Sequence, residues 1–169
     1  MLKQISLLIL CAVAIVFFAT PVHACTSAVV SGKVTLDGRP LLWKNRDTDF
    51  MRNHIDYVKG EKYNFIAVVN SANAYLKEAW MGTNSAGFAL MNTQSYNLVD
   101  VKGDEERGAA NGRVIYRALE VCATVEDFCH FLDTISKPSD IEANFGVIDA
   151  QGGAAMFEVD YYKYVMYDA

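Results

Sequence analysis

Cys25 stands directly after Pro21-Val22-His23-Ala24, and Val22-x-Ala24 is the small-residue pattern a signal peptidase cuts. Cleavage there makes Cys25 the first residue, with a thiol and a free α-amine together. An unperturbed α-amine titrates at about 7.7–8.0, so near neutral pH part of it is a base. A nucleophile and its base then come on one residue. The second group with chemical potential is Lys44-Asn45-Arg46-Asp47-Thr48-Asp49, the densest charge near this cysteine in the chain. A cation beside the thiol would favour its thiolate, and a carboxylate beside the α-amine would orient it. The alternative for this cluster is a solvated strand end.

The cleavage expectation rests on the preceding residues. Met1-Leu2-Lys3-Gln4 is a short positive segment, and the run from Ile5 to Ala19 is apolar except for Ser6. That run is about 15 residues, short of the roughly 20 that span a bilayer. Residues 1–24 therefore read as a signal peptide, and the protein as secreted or periplasmic. An uncleaved anchor is the bland rival. A sharper one is a lipoprotein, in which a first cysteine is acylated and the chain is a lipid-anchored surface or binding protein. Lipoprotein cleavage sites favour leucine and then a small residue, whereas this chain has Val22 and His23.

The chain has 169 residues with Lys+Arg 15 against Asp+Glu 20, and no Lys/Arg cluster offsets that balance. This argues against a nucleic-acid partner. Residues 25–169 suit one domain with a substantial core. Cys11 leaves with the signal, so Cys25, Cys122 and Cys129 remain. Pairing of Cys122 with Cys129 leaves Cys25 free, but buried free thiols on helical faces are the favoured reading of those two. No metal-ligand spacing occurs, and no cofactor is expected. His54 and His130 survive processing, and His130 reads as a surface or half-buried helical residue.

The elements that must position these residues read as strands, then helices, then strands. Thr26–Ser31 and Pro40–Lys44 are strands about a turn at Leu36-Asp37-Gly38-Arg39. Ile55–Val58, Phe65–Asn70, Tyr75–Trp80 and Phe88–Thr93 are further strands, and Asp104–Arg107 is a charged loop. Arg113–Val121 has a helical apolar face at Val114, Ile115, Ala118 and Leu119. Thr124 suits the N-cap of a second helix with Glu126 and Asp127 in its first turn. Phe145–Ile148, Ala154–Val159 and Tyr161–Tyr167 return to strands, with Gln151-Gly152-Gly153 as a turn. Reflecting position 25 through a hairpin centred on Asp37-Gly38 lands near position 50, which brings Lys44–Asp49 close to Cys25. Alternation puts Lys44 and Arg46 on one face, Asn45 and Asp47 on the other.

A first-residue Cys25-Thr26, a glycine-turned hairpin and Asn45-Arg46-Asp47 resemble the N-terminal nucleophile hydrolases. More narrowly, the chain resembles the choloylglycine hydrolase, penicillin acylase and acyltransferase group, which acts on linear amides. Gly82-Thr83-Asn84-Ser85-Ala86-Gly87-Phe88-Ala89 followed by Asn92 is similar to that group's Gly-x-Asn-x-x-Gly-Leu segment and its following asparagine. Asn144–Ile148, Asp149, Gly152 and Glu158 resemble a later paired-strand signature. The resemblance implies an α+β fold, an αββα sandwich of two sheets between helix layers. It implies Cys25 as nucleophile and base, Asp47 as the aspartate that positions it, and Asn92 in the oxyanion region. Arg46 is a candidate cation, and Lys44 is the other that could serve. The bile-salt and penicillin members carry an arginine where this chain has Lys44, and lysine lacks the planar fork.

Members of the group are longer, so residues 25–169 read as the N-terminal half of such a domain. An inactive truncated remnant is accordingly a third reading of the chain. The implied reaction is thiolate attack on an amide carbonyl, giving a thioester that water or another amine then takes. The partner implied is a small-molecule N-acyl amide, with no stable membrane insertion after cleavage; a homo-oligomer is left open. Phe50, Trp80, Phe88 and Tyr96 are candidates for an apolar acyl pocket, weighed against plain core roles.

Overall fold

The structure, a computed structural model, describes residues 25–72, 74–95 and 110–169. Residues 1–24, the loop at Asp104–Arg107 and Tyr96 lie outside the described residues. The first hairpin is β1 (Thr26–Val30) and β2 (Leu41–Asn45), which form their own two-stranded antiparallel sheet. The next four strands are β3 (Asn53–Val58), β4 (Phe65–Asn70), β5 (Met81–Asn84) and β6 (Ala89–Gln94). Helices α1 (Asn111–Val121) and α2 (Val125–Asp133) follow, then β7 (Ala143–Ile148), β8 (Ala154–Val159) and β9 (Tyr164–Asp168). Strands β3 to β9 make one seven-stranded antiparallel sheet in chain order.

Alternation decides which face each residue serves. Phe65, Ala67 and Val69 of β4 are buried, as are Phe145, Val147, Phe157 and Val159, and they pack with Ile115, Leu119, Phe128 and Leu132 of the helices. Phe128 is the hub of that layer, edge-on to Phe145 and Phe157 at centroid distances of 5.8 and 5.1 Å. The two-stranded sheet lies on the opposite face, over β6, β7 and β8. Gly146 permits this approach, because a Cβ there would stand 2.9 Å from Val29 Cγ2 and 3.0 Å from Leu42 Cδ1. The layers run helix, large sheet, small sheet. This is the α+β class read from the sequence.

Helix α2 starts as expected. The Thr124 hydroxyl accepts from the Asp127 amide while the Asp127 carboxylate accepts from the Thr124 amide at 3.1 Å, a reciprocal cap. Three expectations are corrected. Tyr75–Trp80 is not a strand. It holds part of a 3₁₀ turn (Ala74–Leu76), and Lys77 has φ 54°, a left-handed value that breaks an extended run. Tyr161–Tyr167 begins its pairing only at Tyr164, because the Asp160 carboxylate takes the Tyr162 and Lys163 amides at 2.7 and 2.9 Å and makes a turn. The first hairpin is also off register. Thr26 pairs with Asn45 and Val30 with Leu41, which continued by one residue sets Cys25 opposite Arg46 rather than position 50. A 3₁₀ turn at Gly32–Val34, capped by Ser31, shifts the bend toward the first strand.

The motif Gly82–Ala89 is built around Asn84. Its amide donates to the carbonyls of Leu119 and Cys122 at 2.9 and 2.7 Å, and its oxygen accepts from the Ala86 and Phe88 amides at 3.1 Å each. One side chain thus closes the β5–β6 turn and the C-terminal end of α1. Gly87, at φ 83°, supplies the left-handed step in that turn. Asn84→Ala is expected to cost about 2–4 kcal/mol, because buried carbonyls and amides lose their partner together. Asn144→Ala, which loses a single 3.4 Å contact to Thr93, should cost about 1 kcal/mol or less. Urea denaturation of both variants checks this, and equal midpoints would refute the hub role.

Candidate active site

The β1–β2 pairing carries Cys25 to the end of β2. Its thiol is half-buried and lies 3.5 Å from the backbone carbonyl of Asp47, as donor to it. The expected meeting of Cys25 with the Lys44–Asp49 segment is therefore present. The Asp47 side chain is exposed.

Leu42, Lys44 and Arg46 share the inner face of β2, as the alternation of half-buried and exposed residues shows. The Lys44 ammonium donates to the Trp80 carbonyl at 2.9 Å and to Asn92 Oδ1 at 3.0 Å. Burial, opposed by the charge of Cys25 and reinforced by Arg46, brings Lys44 down to about 8. The Arg46 fork donates to Asn53 Oδ1 at 2.6 Å and Asn70 Oδ1 at 2.9 Å, and its guanidinium carbon lies 5.1 Å from the Trp80 ring centroid. Asn53 and Asn70 are cross-strand partners on β3 and β4, so the planar fork spans one sheet pair. Burial lowers the pKa of Arg46 too, and Cys25 again opposes it. Both cations thus feel the thiol. Arg46 is anchored chiefly to the large sheet, whereas Lys44 is the cation bonded to Asn92.

Asn92 is 3% exposed and lies on β6, one residue beyond the Met81–Met91 pair. At that level β5 has not begun, and Trp80 leaves the sheet with only its amide bonded to Val68 at 3.0 Å. The gap admits Lys44. Cys25, Lys44, Arg46, Asp47 and Asn92 thus form one neighbourhood through these contacts. Asp149 serves the fold instead: its carboxylate accepts from the Val125, Gln151 and Gly153 amides at 2.9, 2.8 and 2.9 Å. Glu158 accepts from the Tyr167 hydroxyl at 3.1 Å.

The aromatic candidates for an acyl pocket are not brought together. Phe88 is buried on the helix side, 6.3 Å from the Phe128 ring, while Phe50 is exposed and Trp80 lies under Arg46. An apolar groove of about 390 Å³ lies between β2 and β3–β5, lined by Leu41, Leu42, Ile55, Ile66, Val68 and Met81 among others. Leu42 pairs with Val29, four residues from Cys25, or roughly 13 Å along a strand. That groove is a seam between the sheets, and it shares the inner face of β2 with Lys44.

Cys122 and Cys129 are free, as favoured, but only Cys122 is buried, just past α1, while Cys129 is half-buried on α2. Burial pushes the Cys122 thiol up to about 12 and raises Cys129 as well. His130 is exposed on α2. Among the described residues no cluster of His, Cys, Asp and Glu could hold a metal ion, and no helix is long and apolar enough to cross a membrane. Trp80, Asn53 and Asn70 were missed as supports of the site. No local signal marks Asn53 and Asn70, which meet only when β3 and β4 pair.

Residues 34–166 match the family model of acyl-coenzyme A:6-aminopenicillanic acid acyl-transferase. Among solved structures, a mutant of the conjugated bile acid hydrolase from Clostridium perfringens is similar, with TM-score 0.54 and 18% identity over 86% of this chain and 51% of that one. Penicillin V acylase from Agrobacterium tumefaciens gives TM-score 0.41 and 19% identity over 86% of this chain and 40% of that one. The chain thus spans about half the length of the solved structures it matches. No curated protein matches it. The likeness to the bile acid hydrolase is one of fold, a large antiparallel sheet carrying two helices.

Proposed function

The chain belongs to the acyl-coenzyme A:6-aminopenicillanic acid acyl-transferase family, and from that premise we propose that its protein is an exported N-terminal nucleophile enzyme acting on linear amides. Residues 1–24 are removed as a signal peptide, and residues 25–169 form the N-terminal part of the catalytic domain. The protein then works in the periplasm or outside the cell. The single observation that carries this reading is that the β1–β2 pairing sets Cys25 against the Lys44–Asp47 segment, whose Lys44 reaches across to Asn92 of the large sheet.

In the proposed mechanism the Cys25 α-amine takes the thiol proton, and the thiolate attacks the amide carbon. Asn92 meets the oxygen as negative charge develops there. The C–N bond breaks, the amine departs with the proton held by the α-ammonium, and a thioester remains on Cys25. Water, deprotonated by the same amine, attacks the thioester and releases the carboxylic acid; a second amine in its place gives acyl transfer. Asp47 holds the α-amine, and Arg46 adds positive potential beside the sulfur. The substrate is a small N-acyl amide.

N-terminal sequencing of the protein from the exporting cell tests the premise of this mechanism. The expected first residue is Cys25 with an unmodified amine and thiol. A chain that starts at Met1 or beyond Cys25, or an intact mass with a diacylglyceryl adduct, would overturn it.

A further inference from the structure

We propose that Lys44 is a positioning residue for Asn92, turning its side-chain amide so that Nδ2 is the atom offered to the carbonyl oxygen under attack. This inference rests on the roles given above to Cys25 and Asn92. Its geometry does not.

An ammonium has three donors and no acceptor. The atom of the Asn92 amide that faces Lys44 at 3.0 Å must therefore be the oxygen, and chemistry fixes the orientation. The other prong, Nδ2, makes no hydrogen bond to the described residues and is not sealed from solvent. Without Lys44 the amide could rotate by half a turn and present its oxygen, an acceptor that repels an oxyanion. The second donor of the ammonium is held by the Trp80 carbonyl at 2.9 Å, so Lys44 itself is fixed from two sides. The charge of Cys25 also favours the ammonium.

Arg46 cannot take this place, because its fork is committed to Asn53 and Asn70. A half-buried ammonium is also a costly way to fill space, since desolvating it opposes folding. An apolar residue would pack the same gap at less cost. The position is therefore explained by what the ammonium holds.

The test uses the whole protein and two fluorogenic probes, the phenylacetyl and palmitoyl amides of aminomethylcoumarin. Lys44→Met and Asn92→Ala are each expected to lower kcat about a hundredfold or more, with KM little changed. The double variant should be no slower than Asn92→Ala to within about twofold, because one residue acts through the other. Lys44→Arg, which can still donate to Oδ1, should recover most of the loss. Losses that multiply in the double variant, or failure of arginine to rescue, would overturn the proposal. Should Asn92→Ala or Cys25→Ala keep full activity, it is the functional reading that fails. A measurement independent of turnover still decides the positioning: the Asn92 side-chain amide resonances. They should be matched in the unmodified protein and Lys44→Arg and displaced in Lys44→Met. Unchanged Asn92 resonances in Lys44→Met refute the positioning role whatever the activity.

Discussion

Cys25→Ala is expected to lower amide hydrolysis by the whole protein by a factor on the order of 10⁴–10⁶, the scale on which removing a covalent nucleophile acts. Nothing else in the site offers an electron pair with a base on the same residue. Cys122→Ala and Cys129→Ala should leave turnover largely intact. The reason is physical: Cys122 is buried with its thiol pushed up to about 12, and Cys129 is also raised by burial. Iodoacetamide should accordingly label Cys25 before either, read by peptide mass mapping. Cys25→Ser is a weaker test, because a hydroxyl can partly replace the thiol. Activity retained in the alanine variant would end the nucleophile assignment.

Asp47→Asn is expected to lower kcat by at least about a hundredfold, the scale of a positioned acid–base partner. The variant keeps the side-chain shape and removes its charge. Continuing the Thr26–Asn45 pairing carries the chain past Arg46 to Asp47 beside the backbone of Cys25, and the Asp47 carbonyl already accepts from the thiol. A carboxylate there would hold the α-amine that cleavage exposes. Its exposure means that little packing is lost, so the unfolding free energy from urea denaturation should stay within about 0.5 kcal/mol. Asp49→Asn, two residues further on, should do much less. Steady-state kinetics on the same coumarin amides decides between them, and a dominant Asp49 would mean the carboxylate register is wrong by two residues.

What the sequence made legible depended on locality. The reciprocal cap at Thr124 and Asp127 is three residues wide, and it was readable. So were the limits of β4 and β8, where apolar runs meet clear turn residues. The hairpin placed Lys44–Asp49 beside Cys25, yet its register missed because a capped 3₁₀ turn at Gly32–Val34 consumes residues on one side only. Lys77 and Asp160 were missed for a related reason: a left-handed residue and a carboxylate turn interrupt runs whose composition reads as extended. The Arg46 clamp was out of reach altogether. Its partners Asn53 and Asn70 become neighbours of each other only once β3 and β4 pair. Asn84 was legible as part of a family signature, but its work as a hydrogen-bond hub was not, since two of its four partners lie on α1 and just after it.

The two cations beside Cys25 ride on the small sheet, while every group that anchors them, Trp80, Asn92, Asn53 and Asn70, belongs to the large sheet or the segment entering it. Those surroundings therefore depend on the packing of one sheet against the other. The contact that completes the architecture is thus also the one that assembles the surroundings of Cys25.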